Sequence, residues 1–290
     1  MKFTSKKPHY EYLRKKWGAR QRNLQNKLWE KHGAHLRQIA IGSLGGLMLL
    51  SSPQQTPLPS GYLTFSSDDA LKGFDQNVLL ADSLKDIVPS EVRPFDGEEE
   101  SEIMALLSKN FGFKVTASID NIRLNRNYGF IGGEQHLYRY PGDNLYAHAE
   151  NSVEWAKYGG AGIAPNLGAW GYFSPTKAEF SSIDKQREKY YLAIQTFLIP
   201  GYAENVSKYR DFFKYRKMLV VNPKTGQAVV AVIGDAGPSV WTGKHLGGSP
   251  EVMYFLGLAE GSRKGPVLYF FIDDPEDKIP LGPIKVKTQA

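Results

Sequence analysis

The stretch KMLVVNPKTGQAVVAVIGDAGPSVWTGKHLGGSPEVMYFLGL, from Lys217 to Leu258, decides the fold. Two apolar runs, at 217–222 and 227–233, flank the turn sequence Asn222-Pro223-Lys224-Thr225-Gly226. Runs rich in Val on either side of such a turn predict two β-strands joined as a hairpin. The chain therefore carries a β structure in its C-terminal half.

The residues after this hairpin predict a short helix and a further strand. Ser249 is suited to cap a helix over 251–256, Pro250 is suited to its first position, and Gly257 ends it. The apolar run 266–272 then predicts the last strand.

The second apolar run ends in Gly234-Asp235-Ala236-Gly237-Pro238. A carboxylate at the point where a buried strand breaks into a Gly/Pro turn lies at the rim of a rigid scaffold, where a large substrate can reach it. Apolar neighbours favour a raised pKa, so Asp235 is the candidate general acid and base. The structural alternative is that this carboxylate only accepts hydrogen bonds from nearby backbone amides.

The order of these elements resembles a six-stranded double-psi β-barrel of the rare lipoprotein A type. In that family a Val-x-Asn strand is followed by a Val-rich strand, an Asp-x-Gly-Pro turn, and a helix that starts at a serine and ends in Leu-Gly. The matching elements here are Val221-Asn222, Gly226 to Val232, Asp235 to Pro238, and Ser249 to Gly257. The match is close over about 50 residues and loose over 145–290.

The resemblance implies a cell-wall or polysaccharide substrate. Related barrels, namely membrane-bound lytic transglycosylase A, expansins and some endoglucanases, act on β-linked glycans with one key aspartate, and Asp235 matches the family's turn aspartate. Two departures stand out. Gly247-Gly248 replaces the usual Asp-Leu before Ser249, and the Ala-Ala-His element that precedes the barrel in this family is missing. A role of that element's histidine therefore does not transfer.

Several residues near these elements are candidates for substrate binding. Aromatic faces suit the C–H faces of sugar rings, and loop cations suit a developing negative charge. The alternatives are core packing for the aromatic residues and ordinary solvation for the cations. The candidates are Trp241, Lys244, His245, Tyr158, Trp170 and Ser249.

The sequence does not favour a metal or a cofactor. His136 and His148 with Glu134, Asp143 and Glu150 contain metal-binding residue types, but no pair has the two-histidine helical spacing of a zinc protease. We therefore predict no metal site. No phosphate loop or dinucleotide fingerprint is present, so we predict no cofactor either. The chain has no cysteine, which excludes disulfides and thiolate chemistry.

The positive charge is confined to the N-terminus. Residues 1–35 carry a net charge of +8 and residues 36–290 a net charge of −2, so we expect no nucleic-acid partner for the folded part. The apolar segment 36–52 has lysines before it and few after it, which favours a membrane anchor with the N-terminus in the cytoplasm and the remainder exported to the cell envelope. A cleaved signal peptide and a buried soluble helix are the alternatives.

The rest of the chain divides into three parts. We predict a linker at 53–97, a small α+β segment at 98–144 that begins with an amphipathic helix, and the double-psi barrel at 145–290. The fold class is therefore mainly β, preceded by the basic arm and the anchor segment. Residues 184–198 fit either a helix or a strand.

Two functions are consistent with these residues and with the resemblance. The first is an exported enzyme that cleaves peptidoglycan glycan strands as a lytic transglycosylase does, with a single aspartate as acid and base. Ordinary glycosidases need two carboxylates, whereas a transglycosylase uses the sugar's own hydroxyl as nucleophile. The second is a module that binds peptidoglycan or a related polysaccharide without cleaving it.

Overall fold

The computed structural model describes residues 76–287. The Val-rich segments that alternate with turns form β-strands, and α-helices hold more residues of this part than the strands do. The strands are β1 (Val115–Thr116), β2 (Ser118–Ile119), β3 (Ile122–Arg123), β4 (Tyr128–Gly133), β5 (Tyr191–Ile194), β6 (Lys217–Val221), β7 (Ala228–Ala236), β8 (Leu246–Gly248), β9 (Lys264–Ile272) and β10 (Gly282–Ile284). The basic arm and the predicted anchor at 36–52 lie outside the described residues.

Six of these strands close into a barrel. Hydrogen bonding leads from β4 to β8, β5, β7, β6 and β9, and from β9 back to β4. The pairs β4–β8 and β5–β7 are parallel and the other four are antiparallel. Closure leaves no free edge among the six strands. A closed six-stranded barrel is thus confirmed.

The pairing has an internal two-fold pattern. Replacing each barrel strand by the one three places later, so that β4 becomes β7, β5 becomes β8 and β6 becomes β9, leaves the set of pairs unchanged. The parallel pair β4–β8 becomes the parallel pair β7–β5, and the antiparallel pair β4–β9 becomes β7–β6. The barrel therefore consists of two three-strand halves with the same connectivity.

The barrel strands are buried on both faces. In β6, Met218 and Val220 belong to the cluster inside the barrel, whereas Leu219 and Val221 pack outward against a second apolar cluster. Side chains alternate between the faces of a strand, so burial of both faces explains the unbroken apolar runs. The outer cluster includes Leu84, which comes from a helix that covers the barrel.

Helices surround the barrel. They are α1 (Gln76–Ile87), α2 (Gly97–Phe111), α3 (Ser152–Tyr158), α4 (Ser182–Lys189), α5 (Val206–Phe213) and α6 (Pro250–Phe255). The predicted caps are confirmed in α6, where Ser249 Oγ accepts a hydrogen bond from Val252 N and Pro250 takes the first position. Asp96 and Glu99 form a capping box at the start of α2. None of the helices within 76–287 is both long and apolar enough to cross a bilayer.

Three details differ from the sequence-based expectation. The first barrel strand, β4, lies within 98–144, ahead of the predicted barrel boundary at 145. Strands joined by turns were expected at 125–143, but as part of the small α+β segment and not of the barrel. Helix α1 lies within the predicted linker 53–97, because Leu80 and Leu84 are buried on the barrel. The ambiguous segment 184–198 contains both elements, the end of α4 and then β5.

Candidate functional site

A β-bulge sets the position of Asp235. In the β5–β7 pair, Leu192 faces Ile233 but Ala193 faces Asp235, so Gly234 is an extra residue in β7. A Cβ atom on Gly234 would lie only 2.6 Å from Tyr191 Cβ, and glycine therefore suits the bulge. Bulges bend a strand and redirect the next side chain. Asp235 consequently lies half-buried at the end of β7.

The two carboxylate oxygens of Asp235 have different surroundings. Oδ1 accepts hydrogen bonds from Ala169 N at 2.6 Å and from Ala236 N at 2.8 Å. Oδ2 accepts none from the residues that the structure describes. Gly168 leaves room for the carboxyl group, since a Cβ there would lie 3.3 Å from Asp235 Cγ. One oxygen is thus fixed while the other is available to a ligand.

The surroundings of Asp235 shift its pKa upward. Burial raises the pKa of Asp235, and the two backbone amides offset this only in part. Within 76–287, no cation forms an ion pair with it. A partly exposed carboxyl group with a raised pKa is suited to donate a proton.

A second carboxylate, Glu134, lies close to this site. Lys244 Nζ lies 3.1 Å from Glu134 Oε1 and donates a hydrogen bond to Gly133 O at 3.1 Å. Burial raises the pKa of Glu134, Lys244 lowers it, and the negative charge of Asp235 raises it again. Because the charge of Asp235 acts on Glu134, the two carboxylates and Lys244 belong to one site.

Two glycines make room for the Glu134–Lys244 pair. A Cβ on Gly247 would lie 2.3 Å from Glu134 Cγ, and a Cβ on Gly132 would lie 2.6 Å from Lys244 Cε. Glu134 therefore occupies the space that a side chain at position 247 would need. This gives a physical reason for the glycine at position 247, where the resemblance to rare lipoprotein A predicts an aspartate.

The predicted loop residues have different environments. Trp241 is 87 % exposed in the turn that follows β7, so its ring is free to contact a ligand. His245 is partly buried and held to β4, where its Nδ1 accepts a hydrogen bond from Phe130 N at 2.9 Å. Its Nε2 lies 2.8 Å from Arg126 Nη1. Burial and the nearby positive charge of Arg126 lower the pKa of His245.

Three predicted substrate-binding residues are buried. Trp170 lies in the inner cluster and donates a hydrogen bond from Nε1 to Ile233 O at 3.2 Å. Tyr158 is buried in an edge-on contact with Tyr254. Ser249 caps α6 and donates a hydrogen bond from Oγ to Lys189 O. These contacts give all three residues structural roles and leave little of their surface for a glycan.

An exposed aromatic pair lies elsewhere on the surface. The rings of Tyr146 and Trp155 stack with centroids 5.0 Å apart, and Tyr146 is 78 % exposed. They line a cavity of about 320 Å³ together with Glu150, Asn151 and Ser152. Stacked aromatic faces beside polar groups are suited to a sugar ring.

A separate group of charged side chains is fully buried. Arg139 holds Asp143 through both carboxylate oxygens, at 2.9 and 2.6 Å. His148 lies between Asp143 and Glu188, and His136 lies on the other side of Glu188. His136, His148 and Glu188 are the residues of the described part that could hold a metal ion.

Sequence reasoning missed Glu134 as a partner of Asp235 and Glu188 as a partner of the histidines. Glu134 follows Gly132-Gly133, and Lys244 precedes Gly247-Gly248. Paired glycines on two strands are a signal that large side chains cross above them. Glu188 lies on a polar helix with no distinguishing pattern, so nothing in the sequence linked it to His136 and His148.

Comparisons with protein-family models, curated proteins and solved structures give no match to this chain. The resemblance to rare lipoprotein A therefore depends on the sequence elements from Val221 to Gly257 and on the barrel connectivity.

Proposed function

We propose that this chain is a glycan-cleaving enzyme of the double-psi barrel type, with Asp235 as its acid and base. The observation that carries the proposal is the asymmetry of Asp235, with Oδ1 fixed by two amides, Oδ2 free of hydrogen bonds within the described part, and a raised pKa. The two-fold strand pairing supports the double-psi assignment, because such a barrel is built from two interlocked halves.

The mechanism needs one proton carrier. Protonated Asp235 donates its proton to the glycosidic oxygen as the bond from that oxygen to the anomeric carbon breaks. The carboxylate then accepts the proton of a hydroxyl group on the same sugar, and that oxygen forms the new bond to the anomeric carbon. No water enters, and the product is an anhydro sugar. This is the reaction of a lytic transglycosylase.

Glu134 and Lys244 have supporting roles in this proposal. Glu134 occupies the space beside Gly247, where the rare lipoprotein A family has an aspartate. Its carboxylate stabilises the positive charge that develops on the sugar ring, and Lys244 keeps it ionised. The exposed ring of Trp241 provides a face for a neighbouring sugar.

The substrate that we propose is peptidoglycan, in the cell envelope. The resemblance supports a cell-wall glycan, and the charge distribution supports export of the part after residue 52. The segment 36–52 then anchors the chain in the membrane, and the basic arm lies in the cytoplasm.

A non-catalytic glycan-binding module is the second candidate. The two amides on Oδ1 of Asp235 are the contacts that a purely structural aspartate makes. The loss of Asp-Leu before Ser249 favours this alternative as well.

The soluble products released from purified sacculi distinguish the two. We expect anhydro-muropeptides with the wild type and none with Asp235→Asn, while Asp211→Asn, a change of an exposed aspartate on α5, keeps full activity. Sacculus binding without any product, sensitive to Trp241→Ala but not to Asp235→Asn, would establish the binding module instead.

A further inference from the structure

The buried histidine cluster has the composition of a metal site. His136 follows β4, His148 ends a turn of 3-10 helix at Leu145–His148, and Glu188 lies in α4. All three are at most 4 % exposed. Their candidate ligand atoms lie within 4.8 Å of one another. Three separate segments thus converge on one point inside the protein.

We propose that His136, His148 and Glu188 bind a divalent transition-metal ion, for which zinc is the best fit. Two imidazoles and one carboxylate are a donor set that zinc uses. Nδ1 of His136 and Nδ1 of His148 each lie 3.2 Å from an oxygen of Glu188. Ligand atoms about 2.0–2.1 Å from a tetrahedral zinc ion are separated by about 3.3 Å, which agrees with this spacing.

The surroundings of His148 support the proposal. Its Nε2 lies 2.9 Å from Asp143 Oδ2, and Arg139 holds Asp143 in place. An imidazole that binds a metal through one nitrogen commonly donates its other N–H to a carboxylate, which fixes the ring. This arrangement directs Nδ1 of His148 toward Glu188.

Two buried atoms beside the cluster lack a hydrogen-bond partner within the described residues. His148 Nδ1 is close to Glu188 Oε2 but out of line for a hydrogen bond, and Glu251 Oε2 has no donor. A cation bound at the cluster would satisfy Nδ1 of His148. The unpartnered Nδ1 of His148 belongs to the group whose ligand atoms lie within 4.8 Å of one another, whereas Glu251 lies outside that group.

The burial of the site indicates a structural role for the ion. Structural zinc sites are closed by protein ligands, whereas catalytic sites keep a position open to water or substrate. The ion would hold the segment after β4 and the Leu145–His148 turn to α4. It therefore differs in place and in role from the site at Asp235.

Zinc binding by the full-length chain tests the proposal. The N-terminal histidines are other possible ligands, so the parent protein is the variant with His9, His32 and His35 changed to Gln, all outside the described residues. After chelation and addition of zinc alone, we expect one ion per chain by elemental analysis. We also expect a rise of about 5 °C or more in the melting temperature.

Two variants and one spectrum make the test decisive. Glu188→Gln keeps the shape of the side chain and is expected to lose the zinc-dependent rise, while His245→Gln, which changes a histidine outside the cluster, is expected to keep it. X-ray absorption of the zinc-loaded parent should show two imidazole ligands even if Glu188→Gln fails to fold. No bound zinc and no rise in melting temperature, or a rise that persists in a folded Glu188→Gln, would overturn the proposal.

Discussion

Asp235 is half-buried and Asp143 is buried, yet their surroundings shift their pKa values in opposite directions. Asp235 has two backbone amides and no ion pair in the described part, so burial raises its pKa. Burial alone would also raise the pKa of Asp143, but hydrogen bonds from His148 and Arg139 lower it well below the ordinary value. The comparison shows that hydrogen-bond and ionic partners decide whether burial raises or lowers the pKa of a carboxyl group.

The largest expected effect is on activity at Asp235. Asp235→Asn keeps an oxygen that can accept the two amide hydrogen bonds but removes the proton that the reaction needs. We expect product release from sacculi to fall by a factor of about 10²–10⁴, the usual contribution of a general acid. Asp211→Asn is the control, and activity within a factor of two of the wild type in Asp235→Asn would contradict the mechanism.

For Asp235→Asn, the direction of the change in the free energy of unfolding can also be predicted. An acid whose folded pKa is raised above its unfolded pKa contributes stability that is fully present below the unfolded value and is lost as the pH rises through the folded value. We therefore expect Asp235→Asn to be at least as stable as the wild type at pH 7, and the difference to vanish below about pH 4. Denaturant unfolding across this pH range measures it. A loss of stability at pH 7 would mean that Asp235 is structural, as Asp143 is.

Asp143→Asn should show the opposite pattern. The change leaves Arg139 and His148 without their shared negative partner inside the protein. Breaking a buried ion pair in this way costs about 3–5 kcal/mol in the free energy of unfolding. Denaturant unfolding checks this value, with Asp273→Asn, a change in a partly exposed surface pair, as the control. A cost below about 1 kcal/mol would contradict the comparison.

Lys244→Met tests the comparison because it removes the cation that pairs with Glu134, which leaves Glu134, like Asp235, without an ion pair in the described part. Without the cation, burial and the charge of Asp235 raise the pKa of Glu134 further. We expect activity at neutral pH to fall by about tenfold, as for the loss of one charged group in a site. The acidic limb of the pH–rate profile, which reports the ionisation of Glu134, should also move to higher pH. Lys208→Met on α5 serves as the control. An unchanged profile would exclude Glu134 from the mechanism.

The smallest effect is expected at Trp241. Its ring is exposed and packs against little of the part of the chain that the structure describes, so Trp241→Ala should change the free energy of unfolding by less than about 0.5 kcal/mol. Binding to sacculi should weaken by about threefold to tenfold, since a sugar–aromatic contact contributes about 1 kcal/mol. Pull-down with increasing amounts of sacculi measures this. Equal binding by the variant and the wild type would remove Trp241 from the site.

The hairpin and the helix cap were predictable because the residues that produce them are neighbours in the sequence. The hairpin at 217–233 and the cap at Ser249 depend on neighbouring residues, and both are confirmed. Strands were expected at 125–143, but the membership of β4 in the barrel was not, because its pairing partners β8 and β9 are remote in sequence. Burial of Trp170 and Tyr158 was not predictable either, since an aromatic residue near glycines is typical of both a core and a binding surface.

The sequence by itself determined that the C-terminal half contains a β structure and that the net positive charge of the chain lies in the N-terminal arm. It also placed Asp235 at the end of a strand. These properties follow from residue order, and they need no distant contact. Only the tertiary structure decided that Glu134 and Lys244 join Asp235, and that His136 and His148 meet Glu188. Electrostatic interactions depend on distance in space and on the exclusion of water. The folded barrel sets both, because it brings together segments that are remote in sequence.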